Sequence, residues 1–439
     1  MISAHGVAGT LADLVSTVLG DELPIRFRCW DGSVAGLPDA PIRLTFRHRR
    51  ALRRLVWAPN ELGLARAYVS GELDVEGDFV DTLTGLYRLI SDGSLRAELG
   101  WAARRDVVRA VARVGAVGLP PKPPAEEIRL TGRIHSTRRD ARAISHHYDV
   151  GNDFYALVLG PSMTYSCAYW DDTAGTLERA QIAKVDLVAR KLGLTEGMRV
   201  LDVGCGWGTF VLHAAREYGV RAVGITLSQE QARFARKRAA EEGLADRVEI
   251  RVQDYRHVPD GPFDAIASIG MAEHVGEAML PTYGRTLFDL LRPEGRLLNH
   301  AIAQNPLVPP RPDRTSFISR YVFPDGELEP LSVVIGALEE SGFEVRDVES
   351  LREHYGRTLR AWVANLDERW AEAVRLSSPG RARVWRLYMA ASALAFEGGR
   401  IGVNQVLAIK PGEHGASGMP ATRAALLSGR WPGIPHMSR

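Results

Sequence analysis

Three cysteines, five lysines and no apolar run approaching the ~18 residues of a membrane-spanning helix set the first limits on this 439-residue chain. Cys29, Cys167 and Cys205 cannot build a disulfide framework, which fits a reducing cytoplasm. Lys and Arg total 55 against 53 Asp and Glu, a net charge of +2. A strongly basic nucleic-acid binder is therefore excluded as the default, and no nucleic acid is expected as a partner. With lysine so scarce, the basic residues are almost all Arg. Arg grips phosphate and carboxylate with two prongs, but a genome-composition bias is the favoured account of the excess. The opening stretch MISAHGVAGTLADLV lacks a basic segment, and Asp13 interrupts its apolar run, so no signal peptide is expected. Any membrane contact is expected to be peripheral.

What is present points to two domains. The length exceeds one ordinary domain, and 45% hydrophobic with 25% charged residues is a globular composition. Residues 1–117 mix short strand and helix patterns with a basic patch. GLPPKPPAEE, residues 118–127, forbids a continuous helix and stays wet, so residues 118–143 are read as a linker and basic segment. From residue 198 strands and helices alternate: RVLDVGC, TFVLHAAREYG, RAVGITL, SQEQARFARKRAAEEGL (opened by Ser228 as N-cap), RVEIRV, FDAIASIG, GRLLNHAIA. This predicts an α/β fold, a parallel sheet with helices on both faces, preceded by a smaller α+β domain. The sheet domain is placed at residues 144–412 and a weakly ordered tail at 413–439. Ligands of such sheets sit beyond the carboxyl ends of the strands.

Two segments carry the chemistry. ISHHYDVGNDFYALVLGPSMTYSCAYWDD, residues 144–172, holds four Tyr, one Phe, one Trp, two His and one Cys. Downstream, LDVGCGWG places Asp202, Gly204, Gly206 and Gly208 on a strand-to-helix turn. Glycine there permits close ligand approach. The turn lacks the GxGxxG spacing of a dinucleotide site and the GK[ST] of a P-loop. Bland readings exist for each candidate. Cys167 fits a buried small hydrophobe, Glu273 a helix cap, His300 a core histidine and Tyr355 a packing residue. Their joint occurrence at strand ends favours a site.

The glycine turn resembles motif I of class I S-adenosylmethionine-dependent methyltransferases. GITLSQEQ ends the second strand at Thr226 without the usual acidic residue. The whole set, including SIGMAEHVG, LLNHAIA and HYGRTLRAW, resembles the cyclopropane-fatty-acid synthase family, with the mycolic-acid methyltransferases inside it, over residues 145–410. The resemblance implies a Rossmann-like methyltransferase sheet, S-adenosylmethionine as cofactor, a bound bicarbonate as base and no metal. It implies methylene addition across the cis double bond of a phospholipid acyl chain. By motif, Cys167, Glu273, His300 and Tyr355 become the catalytic set, holding bicarbonate with a backbone contact at Ile302. Tyr165, Ser166, Asp202, Gly204, Gly206, Thr226, Leu227, Gln231 and Asp254 become cofactor contacts. Tyr165, Tyr169 and Trp170 are expected to offer ring faces to a developing cation. Ser392 stands where the family often has Cys, which excludes a thiol nucleophile there.

On the lipid side, RHRRALRR (47–54) and RLTGRIHSTRRDAR (129–142) are candidate head-group sites, with a solvated helical face as the alternative. QNPLVPPRPDRTSFISRYVFPDGELEP, residues 304–330, reads as an active-site cap. The expected location is the inner face of the cell membrane, reached from the cytoplasm. A second copy of the chain is an expected partner. A rival reading keeps the methyl transfer but forms a 10-methylene chain, which calls for a separate reductase to give the methyl branch. His274, intact in EHVG, favours the ring. A non-catalytic lipid binder and a methyltransferase for soluble small molecules are the readings from other classes, opposed by the intact motifs and by the N-terminal extension respectively.

Overall fold

The structure is a computed structural model. It describes residues 6–19, 24–91, 112–128, 150–173, 175–308, 316–324 and 326–424, with isolated positions at 105, 109, 110 and 426. The segment 129–142, His146 and His147 lie outside the described residues. The chain divides into two compact units. The first is Met1–Arg129 with Arg311–Val322 and Trp370–Leu394; the second is Leu130–Pro310, Phe323–Arg369 and Ala395–Arg439.

In the first unit, strands β1 (Ile25–Cys29), β2 (Val34–Ala35), β3 (Ile42–Phe46) and β4 (Leu73–Val75) form a sheet ordered β2-β1-β3-β4. Alternation decides its faces: Ile25, Phe27, Cys29, Ile42, Leu44 and Phe46 point inward. The helices Val7–Leu19 and Arg50–Trp57 contribute Ala8, Leu11, Ala51 and Leu52 to the same core. The helix Glu61–Val69 starts because the Asn60 side chain accepts a hydrogen bond from the Gly63 amide. Later chain joins this unit through ion pairs. Arg383 bonds Asp74 at 2.9 Å and lies over the Tyr68 ring. The basic stretch 47–54 is largely engaged: Arg47 pairs with Asp74, Arg50 and Arg54 with Glu72, and Arg53 donates to the Ala116 and Val117 carbonyls.

The second unit is built on seven strands: β5 (Arg199–Val203), β6 (Arg221–Thr226), β7 (Val248–Val252), β8 (Phe263–Ile269), β9 (Leu291–Gln304), β10 (Glu344–Ser350) and β11 (Ile401–Ile409). Their order is β10-β11-β9-β8-β5-β6-β7. The pairs β5–β6, β5–β8, β6–β7 and β8–β9 are parallel, whereas β11 runs antiparallel between β9 and β10. The expected parallel sheet is thus corrected to a mixed one. β10 follows the helix Leu331–Glu340 and β11 the long helix Pro379–Glu397, both beyond the stretch of strands read from the sequence.

One sheet face carries Ala265, Ala267, Leu298 and Leu407 under Val185, Val188, Ala189 and Leu192 of the helix Leu177–Leu192. The opposite face carries Leu201, Val203, Ile266, Leu297 and Val406. Helices on both faces leave only the strand ends open, and that confines the chemistry to them. Among the described residues no helix is long and apolar enough to cross a membrane.

Candidate active site

The glycine turn follows β5 as the spacing predicts. Gly204, Gly206 and Gly208 all have left-handed backbone, with φ of 83°, 53° and 84°, conformations that favour residues without a Cβ. The amides of Gly204 and Cys205 both donate to the Ile225 carbonyl, which ties the turn to β6. A side chain on Gly206 would meet nothing closer than Gln231 Nε2, at 4.0 Å. The cradle is therefore open above Gly206. At Gly208 a Cβ would press on Ala235 at 3.0 Å, so that glycine serves helix packing.

Around this cradle, Thr226 Oγ1 donates to Gln231 Oε1 at 2.9 Å, and Ser228 caps the helix Gln229–Glu241 through the Gln231 amide. Leu227 is half-buried beside them. Asp254, after β7, is clamped by Arg256 on both carboxylate oxygens, which holds its pKa below the ordinary range despite burial. Asp202 is buried with Oδ1 unpartnered, and burial raises it to about 7 against the opposing pull of Lys184. An open glycine cradle beside an unpartnered buried carboxylate fits a ligand with cationic or hydroxyl groups, as S-adenosylmethionine has.

The aromatic passage divides in two. Tyr165 packs its ring against Tyr155 at 5.7 Å and Trp362 at 5.5 Å, and Tyr155 in turn meets Trp207 of the glycine turn at 4.7 Å. Tyr169 and Trp170 hold the loop to the helix Arg352–Glu368. Tyr169 stacks on His354 at 5.0 Å, the Trp170 amide donates to His354 Nδ1, and its indole donates to Thr358. The ring cluster beside the cradle is thus Tyr155, Tyr165, Trp207 and Trp362. Tyr155, Trp207 and Trp362 were not singled out in the sequence, because each reads locally as core.

The acid–histidine set lies at the ends of β8 and β9. Glu273 sits in a short turn after β8, and its Oε1 accepts from the Ile302 amide at 2.7 Å. Its Oε2 is enclosed and unpartnered, and burial raises the carboxyl to about 7. His300 is buried on β9 with both ring nitrogens unpartnered; burial, aided by Lys184 and Lys191, lowers it to about 3. The neighbouring His274 meets Phe323 edge-to-face and is lowered to about 4 by burial.

Cys167 is fully buried and its thiol points to the Ala168 and Leu351 carbonyls, so burial pushes it well above the usual thiol range. Leu351 precedes the helix carrying Tyr355, whose ring packs on Phe396 at 4.6 Å. Ser166 accepts from Lys184 Nζ at 3.0 Å. Ser392 lies on the helix Pro379–Glu397, in the part that belongs to the first unit.

One residue that motif reasoning missed stands out. Gln405 of β11 is paired with His300 across the ladder, fully buried, with neither amide atom partnered. Glu273 Oε2, both His300 nitrogens and both Gln405 amide atoms are thus five enclosed polar atoms without partners. Each costs about 1–3 kcal/mol when left so, and a folded chain tolerates such a concentration where a ligand satisfies it. A separate cleft of about 630 Å³ is lined by residues including Gln304, Leu331, Arg352 and Asn404, and by none of the predicted site residues. Among the described residues no group of His, Cys, Asp or Glu is placed to hold a metal ion.

Comparison with known proteins agrees with this geometry. The mycolic acid cyclopropane synthetase family matches residues 135–406. A probable fatty acid methyltransferase of Mycobacterium tuberculosis is 43% identical over 410 residues, covering 90% of this chain and 93% of the relative. The cyclopropane-fatty-acyl-phospholipid synthase of Escherichia coli is 38% identical over 312 residues, 70% and 78% of the two chains. The crystal structure of mycolic acid cyclopropane synthase CmaA1 complexed with SAH and CTAB is 34% identical, covers 62% of this chain and 98% of its own, and superposes with a TM-score of 0.58. With the seven-stranded sheet, the glycine cradle and the acid–histidine set in place, the chain belongs to the mycolic acid cyclopropane synthetase family and is an S-adenosylmethionine-dependent methyltransferase acting on lipid acyl chains.

Proposed function

We propose that the chain adds a methylene group from S-adenosylmethionine across the cis double bond of a phospholipid acyl chain, forming a cyclopropane. The observation that carries this reading is the enclosed, unpartnered set of Glu273 Oε2 and the His300 nitrogens beside the cofactor cradle. When bound, S-adenosylmethionine supplies an electrophilic methyl group, for which an alkene is a weak nucleophile. The cradle and the rings of Tyr165 and Trp362 exclude water and hold the partners, an effect worth roughly 7–11 kcal/mol when alignment is good. Attack leaves a cation on the acyl chain, and a proton must then depart for the ring to close. Aromatic faces stabilise such a desolvated cation by about 2 kcal/mol.

Bicarbonate, when bound, supplies the base. Neutral His300 and the Tyr355 hydroxyl donate to such an anion, and ionised Glu273 Oε2 accepts from its hydroxyl. The Ile302 amide fixes Glu273 by its other oxygen. The Cys167 thiol adds a weak donor. Tyr165, Ser166, Asp202, Gly204, Gly206, Thr226, Leu227 and Gln231 hold the cofactor, with Asp254 at the adenine edge through its Arg256 clamp.

We also place the protein on the inner membrane face, with residues 1–117 as the lipid-associated domain and a second copy of the chain as a partner. Support comes from exposed apolar side chains in the first unit: Trp57, 57% exposed, bonds the Gly118 carbonyl, and Val117 and Leu119 are 63% and 84% exposed. Arg53 donates to the Val117 carbonyl beside them, and Arg49 is exposed at the other end of the helix Arg50–Trp57. Basic residues beside apolar ones suit an anionic lipid surface.

The likeness to a probable fatty acid methyltransferase favours a second reading, a 10-methylene chain awaiting a separate reductase. Expression in a host lacking such enzymes, followed by mass spectrometry and NMR of its fatty acid methyl esters, separates the two. A cyclopropane proton signature supports the first, a terminal methylene the second, and unchanged lipids despite cofactor-binding protein would sink both. Removal of dissolved carbon dioxide is expected to slow turnover, and added bicarbonate to restore it.

A further inference from the structure

The anion pocket has a charge problem. Its side chains are a neutral imidazole, a phenol, a thiol and a carboxyl, and none brings a positive charge. A buried anion without a compensating cation is strongly disfavoured. The helix Leu177–Leu192 places two buried lysines seven residues apart against one face of the sheet. Across that face runs a ladder row of Glu349, Gln405 and His300, and Asp202 shares the face.

The outer lysine is spoken for. Lys191 pairs with Glu349 at 2.5 Å and with Asp347 at 3.6 Å. The inner one is different. Lys184 is 2% exposed, its described hydrogen bond goes to Ser166 Oγ at 3.0 Å, and among the described residues no carboxylate oxygen stands within ion-pair distance. Ser166 adjoins Cys167 in the chain, so the ammonium lies at the seam between the cofactor side and the anion side. Its field reaches Cys167, Asp202 and His300: it opposes the burial that raises the first two and adds to the burial that lowers the third. Burial lowers Lys184 itself to about 8, which leaves it largely charged at neutral pH.

We infer that Lys184 is a positioning residue whose buried charge allows a small anion to occupy the pocket formed by Cys167, Glu273, His300 and Tyr355. The inference rests on the bicarbonate reading above and adds to it the source of the neutralising charge. An ammonium has three donors and Ser166 takes one, so the same group also steers Ser166 toward the cofactor side.

Thermal unfolding of the full-length protein, followed against added sodium bicarbonate with sodium chloride at matched ionic strength, tests this without turnover, because a ligand of the native state raises the melting temperature by mass action. Wild type is expected to be stabilised. Lys184→Met and Lys184→Gln should need about 30-fold more bicarbonate, or show no shift, the scale for losing one partner of a buried charged pair. Lys184→Arg, which keeps the charge, should recover part of the effect. In turnover assays the half-saturating bicarbonate concentration should rise in the neutral variants more than kcat falls. Neutral variants stabilised like wild type would overturn the role of Lys184 and leave the bicarbonate reading standing. A wild type indifferent to bicarbonate would overturn both. Failure of both neutral variants to fold, judged by circular dichroism, would make Lys184 a structural residue and likewise end the inference.

Discussion

Glu273 is held to β9 by one oxygen only: Oε1 accepts from the Ile302 amide at 2.7 Å, and Oε2 stays enclosed without a partner. The anchored oxygen fixes the carboxylate plane, which leaves the other aimed and free to exchange a proton. Glu273→Gln keeps an oxygen for the amide but loses the acid–base function. Turnover should fall by roughly 10²-fold or more, with calorimetric affinity for S-adenosylmethionine nearly unchanged. A variant within a few-fold of wild type would remove Glu273 from the chemistry.

The same substitution has a signature in stability. Burial raises Glu273 from its ordinary 4.5 to about 7. Between those values the native chain holds a proton that the unfolded chain has released. The contribution of the neutral carboxyl is therefore full below 4.5 and is lost as pH rises to about 7. Glu273→Gln should gain in melting temperature over wild type through that window and keep the gain above it. A constant offset at every pH would show that Glu273 does not titrate there.

Cys167 should be chemically quiet. Its thiol is fully buried, raised by desolvation and turned toward two backbone carbonyls, whereas alkylation needs an exposed thiolate. Mass spectrometry after iodoacetamide treatment of the native protein at neutral pH should find Cys167 unmodified. Cys167→Ser should cost less activity than Glu273→Gln, since a hydroxyl replaces a weak thiol donor. Rapid alkylation would contradict the geometry.

Gly206→Val tests the cradle. At φ 53° a β-branched side chain is strained, and its methyl groups would fill the opening toward Gln231. Cofactor affinity should drop at least about tenfold, one factor of ten being ~1.4 kcal/mol. Unchanged calorimetric affinity with an intact melting transition would place the cofactor elsewhere.

The first unit constrains how membrane binding can be tested. A chain starting at Glu126 would strip Asp74 from Arg383 and Glu61 from the Phe317 amide. Such a truncation should lose soluble yield, and its inactivity would say little about lipid. Trp57→Glu combined with Leu119→Glu alters only exposed side chains. It should weaken sedimentation with anionic vesicles, with cofactor affinity preserved. Equal sedimentation of variant and wild type would show that this apolar patch is not the contact.

Features under local chemical control were legible in the chain. Strand–helix alternation from residue 198, the left-handed glycines after β5 and the Ser228 cap each depend on a few neighbouring residues, and each was readable in order. Motif resemblance also located Glu273 and His300. Tertiary structure alone decided which of those groups share an environment. The antiparallel placement of β11 brings Gln405 opposite His300, although nothing near either residue encodes the pairing. Cys167 meets the Leu351 carbonyl across 184 residues. Nothing in the sequence singles out Lys184, and only packing of its helix onto the Asp202–His300 face buries it. Burial is the physical reason for the difference: it sets the charge state of Glu273, His300 and Lys184, and it is a property of the assembled fold, absent from any short stretch of chain.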